Sequence, residues 1–279
     1  MEDNRETGNL EEPIINKEEK ESFSKRKKII LLILIVTIII SVCILIAIIL
    51  IKKSDDEDED TSTISPIYIN PISNYTHCII WLHGLDNCPE KFVDLFTNEI
   101  NIPHKNNTKI ILLRAPKMKM SYNGKELTSW FDIYHFPINS SDTYSFPDAN
   151  YSSNILKKYI DEEAKILGNY EKIFIGGHSQ GACISLYTGY SLEDLIGGVI
   201  VCSGILFPQA EIVGDKENLN VYLGHGDRDQ AIPFEFHKQT VERIQEFKGV
   251  RKYYYEGHGH SIFEPEKKDI EKFLNETMV

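Results

Sequence analysis

The sequence predicts an α/β fold with a mostly parallel central sheet covered by helices on both faces, preceded by a single transmembrane helix. Three observations carry that expectation. Short apolar runs bounded by turn residues alternate with segments of helical spacing from Pro66 onward. One of those runs, Lys172 to Gly176, passes directly into Gly177-His178-Ser179-Gln180-Gly181 and then into a helical stretch beginning Ala182-Cys183-Ile184. Ahead of all this, every residue from Ile29 to Ile51 is apolar except Thr37 and Ser41.

The alternation defines the elements in order. Cys78–Leu82 reads as a buried strand, Lys91–Ile100 has helical spacing through Phe92, Leu95 and Phe96, and Lys109–Arg114 is a second strand. Ala115–Pro147 is a long irregular stretch, and loops of that length in a compact domain are usually functional. Tyr151–Leu167 carries Ile155, Leu156, Ile160, Ala164 and Ile166 near one helical face. The strand into the Gly-x-Ser-x-Gly turn and its helix follow. Gly198–Cys202 and Asn220–Gly224 are strand-like, Phe234–Phe247 is helical and Val250–Tyr255 is the last strand. A closing helix, Glu264–Leu274, is entered through Pro265.

The 23-residue apolar run exceeds the roughly 20 residues needed to cross a hydrocarbon core and is far longer than a signal-peptide core. Lys17, Lys20, Lys25, Arg26, Lys27 and Lys28 precede it, whereas Lys52 and Lys53 alone follow before the acidic run Asp55–Asp60. The positive-inside rule then predicts a single-pass membrane protein with a cytoplasmic N-terminus and a lumenal or extracellular catalytic domain. Five sequons, at Asn74, Asn106, Asn139, Asn150 and Asn275, all lie beyond the span and are consistent with a glycoprotein. The expected organisation is a disordered cytoplasmic tail over 1–28, a signal-anchor helix over 29–51, an acidic linker over 52–66 and the catalytic domain over 67–279. A net charge of −12 excludes nucleic acid as a partner, and the five cysteines suggest no structural bridge.

The chemistry is read from the turns that follow the strands. A serine on a sharp strand-to-helix turn is a nucleophile only with a general base, and the base needs an acid to fix its tautomer. The expected order is Ser, then Asp or Glu, then His. After Asn220–Gly224 comes His225-Gly226-Asp227-Arg228-Asp229-Gln230-Ala231-Ile232-Pro233, and after the last strand comes Glu256-Gly257-His258-Gly259-His260-Ser261. Either aspartate and either histidine satisfy the order. An oxyanion hole is expected from the backbone N–H of Gln180 and from His83-Gly84-Leu85, at the end of an early strand, through Leu85. No metal or organic cofactor is required.

The chain resembles the acyl-protein thioesterase and phospholipase/carboxylesterase family of α/β-hydrolases. The matching segments are Trp81-Leu82-His83-Gly84-Leu85, Arg114-Ala115-Pro116, Ser129-Trp130-Phe131-Asp132, Gly176 to Gly181, Ser203-Gly204, His225 to Asp229 with Ile232-Pro233, and Tyr255-Glu256-Gly257 leading to His260-Ser261. They fall in family order over about residues 77–262. The resemblance implies an α/β-hydrolase fold, Ser179 as nucleophile, His260 as base and Asp229 as acid, because the family's acid lies shortly before the Ile-Pro pair. Leu85 and Gln180 would donate the oxyanion hydrogen bonds, while Asp227 and His258 would be loop residues.

Two local departures stand out: His178 precedes the serine where the family commonly carries Phe, and Ala182 replaces a second Gly. Met118, Trp130 and Phe131 are candidates for lining an acyl site, with packing of their loop over the core as the alternative. The expected function is a serine hydrolase cleaving acyl esters or thioesters, of a lipid or an acylated protein, through an acyl-enzyme. The alternatives are a lysophospholipase-like lipid esterase and an inactive hydrolase fold used for binding.

Overall fold

The computed structural model describes residues 65–138 and 143–279. Among the described residues nine strands run in chain order: β1 (Ile67–Ile69), β2 (His77–Leu82), β3 (Thr108–Leu113), β4 (Lys117–Lys119), β5 (Glu126–Thr128), β6 (Ile173–His178), β7 (Gly198–Cys202), β8 (Val221–Gly226) and β9 (Val250–Tyr255). Four α-helices accompany them among the described residues: α1 (Phe146–Leu167), α2 (Gln180–Ser191), α3 (Phe234–Ile244) and α4 (Glu264–Thr277). Seven strands form one sheet in the order β1-β3-β2-β6-β7-β8-β9, parallel throughout except for β1, which pairs antiparallel to β3. β4 and β5 form a separate hairpin.

Side-chain alternation splits the core into two layers. Ile80 and Leu82 of β2, Ile175 of β6 and Leu223 of β8 face a cluster with Leu156 and Ile160 of α1, Ile184 and Leu186 of α2, and Ile244 of α3. Ile79 and Trp81, one residue out of phase, join Phe174, Ile200, Phe92, Phe96 and, from α4, Ile270 and Phe273 on the opposite face. Strands covered on both faces read as continuous apolar runs, so β2, β7 and β8 were legible as strands. From β2 the chain moves outward to β3, and from β6 it builds in the other direction. That reversal opens a crevice at the carboxyl ends of β2 and β6, where ligands of open parallel sheets bind.

Several expectations change in detail. Lys91–Ile100 is a 3-10 turn over Pro89–Phe92 followed by a π-helical turn over Leu95–Glu99, although Phe92, Leu95 and Phe96 are buried as their spacing predicts. The stretch after Ala115 contains the β4–β5 hairpin around Asn123-Gly124. α1 begins at Phe146 rather than Tyr151, because Ser145 caps it by accepting the Asp148 N–H at 3.3 Å and Pro147 fits the first turn.

The membrane expectation is corrected. The span expected over 29–51 lies outside the described residues, as do the tail over 1–28 and most of the linker over 52–66. Among the described residues no helix is long and apolar enough to cross a membrane. α1 has the length, with 22 residues, but carries Lys157, Lys158, Asp161, Glu162 and Lys165. α2 is apolar and buried nearly all round, yet its 12 residues extend about 18 Å against a core of about 30 Å. The described fold is α/β with a mostly parallel sheet, and the transmembrane helix, the single-pass topology and the lumenal placement are not carried forward. Residues Ser62–Val279 form one compact unit.

One buried acid under the sheet makes stability depend on pH. Glu266, near the start of α4, is 2 % exposed and faces the Cys202 thiol, with no hydrogen bond to its Oε1 among the described residues. Burial pushes its carboxyl up to about 8 from 4.5. Between those values the folded state holds a proton that the unfolded state has released, so stability falls as pH rises. The slope from this group is up to about 1.4 kcal/mol per pH unit. Denaturant titrations from pH 4 to pH 9 should show that slope in the parent and its loss in Glu266→Gln.

Candidate active site

Ser179 sits between the last residue of β6 and the first of α2 with φ 58° and ψ −122°, a conformation that side chains other than glycine rarely adopt. Two glycines make the turn feasible. A Cβ on Gly177 would lie 2.6 Å from the Leu82 carbonyl oxygen, and one on Gly181 only 2.2 Å from it. The backbones of β2 and the turn are thus pressed together, and the Ser179 N–H is held by the Cys202 carbonyl at 2.9 Å. These contacts hold the strained residue where its side chain leaves the sheet.

Three side chains from three strand ends meet there. His260 Nε2 lies 2.7 Å from Ser179 Oγ, and His260 Nδ1 lies 2.6 Å from Asp229 Oδ2. Asp229, 6 % exposed, accepts the Ala231 and Ile232 N–H groups through Oδ1, each at 2.9 Å. Burial pushes its carboxyl up, but the His260 hydrogen bond and charge and the Ile232 N–H outweigh it, leaving it below its ordinary value. The Arg228 N–H donates to the His258 carbonyl at 2.9 Å and ties the two loops together.

Asp227 and His258 take no part in this contact. Asp227 accepts the Gly257 N–H at 2.7 Å, and His258 stacks on Phe263 at 3.6 Å. The sequence order alone left two aspartates and two histidines open. The geometry brings Asp229 and His260 to Ser179.

The loop after β2 lies against the serine, since a Cβ on Gly84 would be 3.1 Å from Ser179 Cβ. Leu85 follows it, and Gln180 opens α2, so its N–H is one of those a helix leaves without an intrahelical partner. Sequence reading assigned Gln180 only its backbone. Its buried side chain is a clamp: Oε1 accepts the Trp130 N–H at 3.0 Å and lies 2.9 Å from Ser129 Oγ, while Nε2 donates to the Phe131 carbonyl at 3.0 Å. Trp130 Nε1 in turn donates to the His83 carbonyl at 2.7 Å.

His83 was also missed as a builder of the site. It accepts the Ala115 N–H at Nε2 and donates from Nδ1 to the Gly84 carbonyl, at 3.0 and 2.7 Å. Burial holds its imidazole down to about 4, so it stays neutral and keeps that tautomer. The signal for both residues was present, because His83, Ser129-Trp130-Phe131 and Gln180 lie in the segments that carry the resemblance.

The candidates for acyl-site lining are dispersed. Trp130 and Phe131 are 2 % and 1 % exposed and support the loops from beneath, and Phe131 packs edge-on against Phe207. Met118 is half-buried on β4. Beside His260 a cleft of about 410 Å³ opens, bordered by His178, whose ring lies 4.8 Å from that of His260.

The clamp generates a prediction. Gln180→Ala leaves the buried Trp130 N–H without a partner, while the Phe131 carbonyl keeps the Ser129 hydroxyl at 2.7 Å, so the cost is about 1–3 kcal/mol. A thermal or denaturant unfolding curve should show that loss. An unchanged midpoint would mean that the clamp does not hold the loop.

Residues 65–278 match the family described as Phospholipase/Carboxylesterase. The chain is 34% identical over 215 residues to acyl-protein thioesterase 1 of Candida albicans, covering 70% of this chain and 90% of that protein. It is 33% identical over 219 residues to acyl-protein thioesterase 1 of Debaryomyces hansenii, covering 72% and 90%. The crystal structure of Arabidopsis thaliana SOBER1 superposes with a TM-score of 0.66 at 25% identity, covering 73% of this chain and 99% of that one. A family match that spans the whole described fold and relatives of this identity and coverage lead to one conclusion: the chain belongs to the phospholipase/carboxylesterase family of α/β-hydrolases.

Proposed function

We propose that this chain, an esterase or thioesterase by its family, cleaves acyl esters or thioesters through an acyl-enzyme on Ser179. The observation that carries the reading is the unbroken hydrogen-bonded path Asp229–His260–Ser179, with heavy-atom distances of 2.6 and 2.7 Å. Ser179 Oγ attacks the acyl carbonyl and its proton passes to His260 Nε2. Asp229 holds Nδ1 protonated and stabilises the imidazolium. The oxyanion that develops is met by the N–H groups of Leu85 and Gln180, donors already fixed by the His83 and Gln180 hydrogen bonds. Collapse expels the leaving thiol or alcohol, which takes the proton from His260. His260 then deprotonates a water that hydrolyses the acyl-serine.

The curated relatives' names favour acyl thioesters on proteins as the substrate class. A lysophospholipase-like role had rested on a domain tethered beside lipid, which is no longer part of the account. An inactive, binding-only fold would leave the His260–Ser179 contact and the strained turn at Ser179 without a purpose.

Fluorophosphonate should label the folded protein at Ser179 and fail to label Ser179→Ala, and a folded parent that resists labelling would contradict the proposal. Asp229→Asn keeps the site's shape but loses control of the His260 tautomer, so kcat should drop by about a thousand- to ten-thousand-fold. Rates on matched acyl esters and acyl thioesters of increasing chain length then define the substrate.

A further inference from the structure

We propose that the cleft beside His260 is the leaving-group subsite and that it selects leaving groups bearing an anion, a carboxylate or a phosphate. The inference rests on the acyl-enzyme reading above. His260 hands its proton to the departing atom, so the leaving group must lie on the His260 side of Ser179. A cleft of about 410 Å³ is bordered by His260 itself together with His178, Asn87, Lys91, Glu99 and Lys267.

The groups free to meet a ligand there are donors and a cation. Lys267 is held by Glu99 at 3.0 Å and by Glu264 at 3.5 Å, which accounts for the cleft's one lining carboxylate. Lys91 has no ion-pair partner among the described residues. Asn87 spends its Oδ1 on the Cys88 N–H at 2.9 Å, so what it offers is its Nδ2 donor.

His178 supplies the remaining observation. Its Nε2 is buried and without a hydrogen-bond partner among the described residues, a costly arrangement that an acceptor on the ligand would relieve. Burial, and then the neighbouring His260, hold the His178 imidazole down to about 3, so at neutral pH it carries no charge, and in the tautomer with the proton on Nε2 it donates to a ligand acceptor. A neutral donor beside the catalytic histidine, with a cation at the rim, suits an acceptor-rich anionic group. In a protein of net charge −12 such a locus also counters the general repulsion of an anionic substrate.

The test uses three short-chain acyl esters of meta-substituted phenols carrying a carboxylate, a carboxamide or a trimethylammonium group. The parent should prefer the carboxylate over the carboxamide ester in kcat/KM, after correction for leaving-group pKa, with the ammonium ester poorest. The preference should shrink as NaCl is raised. Lys91→Glu should lower the carboxylate-to-carboxamide ratio by about three- to tenfold, and His178→Phe should lower it while keeping a ring against His260.

Two further pairs locate the anion's source: a 1-acylglycerol phosphate against the 1-acylglycerol, and an S-acyl peptide with Asp against Asn beside the cysteine. A preference in the first pair assigns a lipid headgroup, and in the second an acidic peptide. Equal rates across charges, or ratios that neither variant moves, overturn the subsite. Failure of every ester together with failure of fluorophosphonate labelling overturns the acyl-enzyme reading and the subsite with it, whereas labelling with charge-blind turnover overturns the subsite alone.

Discussion

The contact of two backbones, Leu82 at the end of β2 against the turn Gly177–Gly181, is the constraint on which the rest of this structure depends. A methyl group at Gly181 would sit 2.2 Å from the Leu82 carbonyl oxygen, so the sequence can form the turn only where it lacks side chains. That closeness lets Ser179 hold a φ of 58°. It also brings the Gly84 backbone against the serine, so that one contact positions both the reacting side chain and one wall of the oxyanion site. The topological reversal between β2 and β6 is the reason these two strand ends are neighbours.

Around that contact the protein manages charge by burial and pairing. Asp229 is buried yet ionised, because His260 and two backbone N–H groups stabilise its charge more than desolvation penalises it. His83, His178 and Glu266 show the opposite outcome. Each is buried with fewer partners for its charged form, and each is held neutral at pH 7. The result is a site in which the Asp229 carboxylate is paired with His260, while His83 and His178 stand beside it without competing charge.

Much of this was legible in the residues. Strands such as Cys78–Leu82 and Gly198–Cys202 are apolar on both faces and announce a covered parallel sheet. The order Ser, then Asp, then His is legible in the turns after the strands, although choosing Asp229 over Asp227 and His260 over His258 took the resemblance to the family. What the sequence obscured was tertiary. The helical spacing at Lys91–Ile100 is satisfied by 3-10 and π turns, which bury the same residues. The Gln180 side chain reads as an ordinary helix residue until its partners at 129–131, some fifty positions away, are seen to close on it. Trp130 and Phe131 looked like lining because aromatic side chains in a loop suit either a pocket or the core, and packing decided for burial. The apolar run over 29–51 drew a membrane reading from local composition, and among the described residues no helix could span a bilayer.

The central claim is that an acyl group passes through covalent attachment to Ser179. Acid-quenching the enzyme during turnover of an acyl thioester, followed by peptide mass spectrometry, tests it directly. The account predicts the acyl mass on the peptide bearing Ser179, accumulating within the first turnover and lost on longer incubation. Sustained turnover with Ser179 unmodified, or acyl attached at Cys88 or another nucleophile instead, would contradict it.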